Sequence, residues 1–317
     1  MPSRGTTSSD FVWGANGHPF NAYPDITMEQ QLDLLVQAGL KQYRVNLAGD
    51  DSIDRLDKLL SLAAARGVTV LPIMFHQGSL QDDTAESIYA RSRTAAETIA
   101  RRFAGRVKVW ELDNELENYA IIQPCEMRDD GTQYPCSWGP AAGVGELEYY
   151  GPRWRKVSAA LHGLSDGVKA GDPAALRALG TAGWGHLGAF DRLSKDGVEW
   201  EISVWHQYTP WSEESFKHVA SFGKPIWLTE YNFSDPYKDD DATRASLLRK
   251  QLDRLKAIRA AYRIEGLFFY ELLDEPYWDN FEGKQGLYRQ EKGADGKWRV
   301  TTPKPSRDVA RQAAAAG

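Results

Sequence analysis

Short apolar runs and longer amphipathic stretches take turns along the whole chain. The runs are Phe11–Asn16, Gln42–Leu47, Thr69–Phe75, Val107–Asp113, Leu176–Thr181, Glu201–His206, Ile226–Thr229 and Gly266–Tyr270. Most are continuous rather than alternating, the pattern of parallel strands covered on both faces. Between them the apolar positions recur at helical spacing. Thr27 and Gln30 form a capping box ahead of Leu32, Leu35 and Val36, and Gly39 stops that helix. Ile53, Leu56, Leu59, Leu60 and Ala63 make the next stripe, ended by Gly67. Further helices are expected over Arg91–Ala104 and Trp154–Val168, with shorter ones around Phe190–Leu193 and Phe216–Val219. Leu248, Leu252, Leu255, Ile258 and Tyr262 mark a long one. Eight strands alternating with helices predict an α/β fold, a (β/α)8 TIM barrel. A doubly wound nucleotide-binding sheet would bring a phosphate-cradling turn after its first strand. Here Gly14-Ala-Asn-Gly17-His-Pro has neither the spacing nor the lysine. With no linker, repeat or break in composition, residues 1–317 are read as one catalytic domain. Its largest surplus over a minimal barrel is a loop after the fourth strand, at about 118–147.

Composition narrows the function. Of 317 residues, 42% are hydrophobic and 26% charged, ordinary for a globular chain. No apolar run approaches the roughly 18 residues that span a bilayer. There are 38 basic and 44 acidic residues, a net charge of −6, which speaks against nucleic acid as partner. The 11 Trp and 14 Tyr supply flat faces for packing and for stacking on ligands. Cys125 and Cys136, the two cysteines, bracket a polar, turn-rich stretch and suit a disulfide. A disulfide implies an oxidising compartment, whereas Met1–Ser9 lacks the apolar core of an export signal. A trimmed signal reconciles the two, so a secreted or periplasmic protein is expected. The terminal Ala-Ala-Ala-Ala-Gly reads as a frayed helix end or an appended remnant and receives no function.

In such a barrel the chemistry sits where strands end at the C-terminal mouth. Strand 2 ends near Arg44 and Asn46, strand 3 near His76, strand 4 at Asn114 and Glu115. Strand 6 ends through His206 to Tyr208, strand 7 at Glu230, and strand 8 at Tyr270 and Glu271. Glu115 and Glu230 each close an apolar strand, on opposite sides of the mouth. Cleaving a glycosidic bond needs two carboxyls, one to protonate the leaving oxygen and one to attack the anomeric carbon or activate water.

Trp110-Glu-Leu-Asp-Asn114-Glu115 together with Trp227-Leu-Thr-Glu230-Tyr resembles the retaining glycoside hydrolases of the TIM-barrel clan A. Arg44, His206-x-Tyr208 and the order of the motifs match as well. Gly286-Leu-Tyr-Arg followed by Pro303-Lys-Pro is similar to the segment after strand 8 in family 39-like and family 5-like members. Family 5 would carry a Trp under the reacting sugar at strand 8. This chain has Tyr270-Glu271-Leu-Leu-Asp274, which favours a family 39-like relative. The resemblance implies Glu115 as acid/base and Glu230 as nucleophile. Arg44 and Tyr208 would then support Glu230, His206 would orient the pair, and Asn114 would bind the sugar 2-hydroxyl. The two carboxyls should stand about 5–5.5 Å apart.

Arg44 has a second reading, as the ion-pair partner of a structural Glu111. His76 suits either a sugar hydroxyl or loop carbonyls. Glu271 suits a substrate hydroxyl, a cationic amino sugar or an arginine. Trp138, Trp184, Trp211 and Trp278 fall in loops at the same face and are candidate stacking platforms. No cofactor or metal is expected, since neither H-x-H nor H-E-x-x-H occurs. The expected protein is a monomer cleaving β-linked polysaccharide or oligosaccharide, endo-acting. The alternatives are an exo-acting β-glycosidase, a non-catalytic carbohydrate-binding barrel and a metal-dependent hydrolase.

Overall fold

A computed structural model describes residues 11–49, 51–183, 185–208, 212–233, 240–278 and 282–317. Eight parallel strands close into a barrel in chain order: β1 (Val12–Gly17), β2 (Gln42–Asn46), β3 (Thr69–Met74), β4 (Val109–Leu112), β5 (Leu176–Thr181), β6 (Ile202–Gln207), β7 (Ile226–Tyr231) and β8 (Ile264–Phe269). The helices between them are α1 (Met28–Gln37), α2 (Ser52–Ala64), α3 (Ala85–Arg102), α4 (Gly151–Gly171), α5 (Leu187–Lys195), α6 (Glu213–Ala220) and α7 (Asp241–Ile258). The capping box of α1 is present, with Gln30 N–H donating to Thr27 Oγ1 and Thr27 N–H to Gln30 Oε1.

Four elements depart from the sequence reading. Helix α3 starts six residues before the expected Arg91, because Thr84 caps it through Ser87 N–H while its first turn is too polar to show a stripe. Beyond β8 an antiparallel hairpin, β9 (Tyr288–Lys292) and β10 (Trp298–Pro303), leads into α8 (Pro305–Ala315). Helix α8 takes up most of the terminal alanines and buries Val309 and Ala310.

The barrel interior is layered. Leu71, Ala178, Ile202, Val204, Trp227 and Phe268 form an apolar plug, separate from the larger core between strands and helices. Gly14 makes room for it: a Cβ there would lie 2.5 Å from the Phe268 ring. Further toward the C-terminal ends of β1, β2, β4, β6 and β7, the interior turns polar with Asn16, Arg44, Glu111, His206 and Thr229, all buried. The plug therefore forms a dry floor beneath a charged layer at the C-terminal mouth.

The segment between β4 and α4 holds a 3-10 turn (Leu116–Ala120) and the Cys125–Cys136 disulfide. Arg153 of α4 pins it, donating to Tyr119 O (2.7 Å), Ile121 O (2.8 Å) and both oxygens of Glu126 (2.5 and 2.8 Å). In the loop-entropy model a bridge across a separation of 11 residues contributes about 3 kcal/mol. Reductant should therefore open new protease cuts between residues 118 and 147 while the barrel stays folded. An unchanged digestion pattern would contradict this. No helix among the described residues is long and apolar enough to cross a membrane.

Candidate active site

Arg44 of β2 organises the charged layer. It is 2% exposed, so each of its five N–H groups needs an acceptor, and each has one. Nε and Nη2 grip the two oxygens of Glu111 from β4, both at 2.7 Å. Nη1 donates to Asn16 Oδ1 of β1 (2.6 Å) and to Glu230 Oε1 of β7 (2.7 Å). The second Nη2 hydrogen reaches Asn114 Oδ1 (2.8 Å). One side chain thus pairs with both Glu111 and Glu230. Asn16 is itself fixed by donating to Thr229 O (2.8 Å) and Phe269 O (3.3 Å).

Glu230 also accepts from the Tyr208 hydroxyl through Oε2. Burial alone would push its carboxyl up. The His206 and Arg44 charges and the Tyr208 hydrogen bond outweigh that and hold it below the usual carboxylate range. Tyr208 moves the opposite way, raised by burial and by the Glu230 charge, and so remains a donor.

The pairing of β6 with β7 is irregular here. Trp205 lies opposite Leu228, but His206 lies opposite Glu230, leaving Thr229 as an extra residue. Such bulges re-aim side chains, and both Thr229 and Glu230 serve the site. Thr229 Oγ1 donates to Glu111 Oε1 (3.2 Å) and lies 3.2 Å from His206 Nε2. The other imidazole nitrogen, Nδ1, stands 2.7 Å from Glu115 Oε1 and 3.5 Å from Glu230 Oε2. Burial opposes charge on His206, yet Glu230 and the bond to Glu115 together raise its pKa above the ordinary value. One carboxylate oxygen from Glu115, one from Glu230 and one His206 nitrogen all lie within 4.8 Å of one another.

Glu115 reaches this point from a sharp turn. Asp113 (φ 61°) and Glu115 (φ 52°) are both left-handed. Asp113 Oδ2 accepts from His76 N–H (2.9 Å) and lies 2.6 Å from His76 Nδ1. Burial lowers the His76 pKa, and the Asp113 hydrogen bond and charge outweigh this to raise it. His76 is therefore held by Asp113, and its ring remains partly exposed.

Of the predicted residues, Arg44, Asn114, Glu115, His206, Tyr208 and Glu230 form one bonded cluster, with His76 one step removed. Glu271 belongs to a neighbouring buried cluster. It is fully buried, accepts from the Tyr23 hydroxyl (2.6 Å), and lies 3.3 Å from His18 Nε2. Glu271, Glu275 and His18 converge within 4.8 Å. Tyr270 joins the two sites, its ring 5.8 Å from Tyr208 and 6.4 Å from His18. Trp138 and Trp278 are 60% and 54% exposed. Trp184 and Trp211 lie outside the described residues.

Sequence reasoning missed Asn16, Thr229, Asp113, His18, Tyr23 and Glu275. Asn16 had a usable signal, the same last inward position on β1 that Arg44 holds on β2. Thr229 had none, because the bulge breaks the period of two.

Among the described residues, two triads could bring three ligand atoms to one metal ion: Glu115–His206–Glu230 and His18–Glu271–Glu275. In the first, Arg44 and Tyr208 already occupy the Glu230 oxygens, so a cation would have to displace them. Without one, the arrangement presents the Glu230 carboxylate, its pKa held low, beside a second carboxyl whose Oε1 lies 2.7 Å from His206 Nδ1.

No protein-family model matches the chain, and no curated protein matches it. Solved structures match along nearly its whole length. A family 1 β-glucosidase from Thermotoga maritima superposes at a TM-score of 0.64, with 13% identity over 96% of both chains. Xylanase 10B from the same organism gives 0.61, with 14% identity over 97% of this chain and 95% of that one. An endo-β-1,4-mannanase from Thermotoga petrophila gives 0.60, with 14% identity over 96% of this chain and 76% of that one. At these identities the likeness concerns the backbone: the chain is a (β/α)8 barrel of the kind these glycosidases share.

Proposed function

We propose that the protein is a retaining β-glycoside hydrolase of clan A, with Glu230 as nucleophile and Glu115 as acid/base. The observation that carries this reading is the convergence of Glu115, His206 and Glu230 within 4.8 Å. Carboxylate oxygens that approach this closely favour the 5–5.5 Å spacing of double displacement over the roughly 6.5–9.5 Å that an inverting enzyme leaves for water.

In the first step a Glu230 oxygen bonds to the anomeric carbon as the bond to the leaving oxygen breaks, and Glu115 gives that oxygen its proton. In the second, Glu115 takes a proton from water, the water oxygen bonds to the anomeric carbon, and the ester to Glu230 breaks. Arg44 and Tyr208 keep Glu230 anionic between turnovers. The Asn114 oxygen is taken by Arg44, which leaves its amide N–H groups for the sugar 2-hydroxyl.

The named neighbours act on β-linked glucose, xylose and mannose units, so the substrate is sought among β-glucans, β-xylans and β-mannans. Exposed Trp138 and Trp278 on segments after β4 and β8 favour binding along a chain, hence endo action. The Tyr270-Glu271 end of strand 8 favours a family 39-like relative. The disulfide favours export to an oxidising compartment. A panel of these polysaccharides, with product sizes read by chromatography, tests the reading. Release of mixed oligosaccharides supports endo action and of a single sugar exo action, while no release from any member rejects the function.

The acid role has its own signature. Glu115→Gln should lower kcat/KM by about 10²–10⁴-fold on substrates with poor leaving groups. Substrates whose leaving group departs unprotonated should lose little. Equal losses on both would remove Glu115 from proton donation.

A further inference from the structure

The end of strand 4 reads Asp113-Asn-Glu115-Leu-Glu117, with an acid at every second position. The proposed mechanism uses the middle one. The outer two are buried, at 6% and 2% exposed, and each faces a different neighbouring strand.

Asp113 faces β3. Beyond its two contacts with His76, its Oδ1 accepts from Asn114 N–H at 2.9 Å. Glu117 faces β5. Its Oε1 accepts from Ala182 N–H, just past the end of that strand, and lies 2.9 Å from Nδ1 of the buried His186. The His186 ring abuts Gly143, where an added Cβ would lie 2.6 Å from Cδ2. Glu117 thereby ties the strand-4 exit to the disulfide-bearing segment and to β5. The β5 exit presses in turn on β6, since a Cβ on Gly183 would fall 1.6 Å from His206 O.

The turn needs such anchors. A left-handed conformation is unfavourable for a non-glycine residue, and it persists where the surroundings over-determine it. Glu115 has one local backbone tie, Asn118 N–H to its carbonyl at 3.1 Å. Its side chain is committed to His206. Arg44 holds Asn114 in the middle of the turn, and the long-range restraint on its two flanks comes from one carboxylate each.

We propose that Asp113 and Glu117 are paired positioning residues, which hold this turn left-handed from opposite sides and so aim the Glu115 carboxyl at the glycosidic oxygen. The inference rests on the reading of Glu115 as acid/base. Glu230 is held separately by Arg44 and Tyr208, so loss of an anchor strikes proton donation and spares nucleophilic attack. A displacement of about 1 Å costs on the order of 10²-fold.

The test compares Glu117→Leu, which leaves Ala182 N–H and His186 without their acceptor, with Glu117→Gln, which retains one. Aryl β-glycosides of the accepted sugar are assayed for kcat/KM, with phenol and 2,4-dinitrophenol as leaving groups. Glu117→Leu should lose about 10²-fold on the phenyl substrate and little on the dinitrophenyl one, and Glu117→Gln should recover most of the loss. Should Glu117→Leu not fold, Asp113→Ala against Asp113→Asn carries the same comparison on the β3 side. Equal loss on both leaving groups, or no loss on either, overturns the proposal. It stays separable from the parent reading, which fails instead if the unaltered protein hydrolyses neither substrate or if Glu115→Gln shows no leaving-group dependence.

Discussion

Glu230→Ala should stop turnover, with kcat falling roughly 10⁴–10⁶-fold, the scale on which removing a nucleophile acts in other enzymes. The same substitution opens a carboxylate-sized gap lined by Arg44 Nη1 and the Tyr208 hydroxyl. That lining is cationic and rich in donors, so a small anion fits it. Added azide should restore part of the rate on an activated β-glycoside and appear in the product as the α-glycosyl azide, having attacked from the side Glu230 occupied. In Glu115→Ala the vacancy lies on the opposite face, and azide should give the β-glycosyl azide. Wild-type turnover in Glu230→Ala, or one azide anomer from both variants, would contradict the assignment.

Arg44→Met should harm stability and activity together. Five hydrogen bonds disappear, and Glu111 and Glu230 lose the cation between them. Breaking a buried pair from one side costs about 3–5 kcal/mol, because a charge stays behind without compensation. The pH dependence follows from Glu230, whose pKa is lowered in the native state. A lowered carboxyl adds stability that is complete above its unfolded pKa and is lost as pH falls through the native one. Without Arg44 the native pKa rises, so that contribution shrinks and the acidic limb of the activity profile moves to higher pH. Arg44→Lys should rescue little, since a point charge cannot serve Glu111 in a fork while also reaching Asn16, Asn114 and Glu230. Urea melts and a pH profile of kcat/KM check both effects. An unchanged melting midpoint with an unchanged acidic limb would reject the role.

The parts of this molecule that could be read from the chain are those that burial writes into local pattern. Eight apolar runs became eight strands because both faces of each are covered. Glu115 and Glu230 stood out because a carboxylate directly after such a run lands at the mouth. The plug-and-charge layering was harder to see, since Asn16 and Glu111 differ from ordinary polar strand residues only by what lies across the barrel. The buried cluster around Glu271 depends on Tyr23, 248 residues away in sequence, a contact no local period encodes. The hairpin β9–β10 hid because its exposed positions outnumber its buried ones. Asp113 and Glu117 take their meaning from partners on the neighbouring strands, His76 and His186, which nothing next to Glu115 in sequence points to.

Proton NMR of the anomeric region during the first minutes of hydrolysis of a β-linked substrate tests the double displacement most directly. The account requires the β-anomer to form first, with the α-anomer growing in later by mutarotation. An α-anomer as the first product would mean a single inversion, and Glu230 could not be the residue that bonds to the sugar.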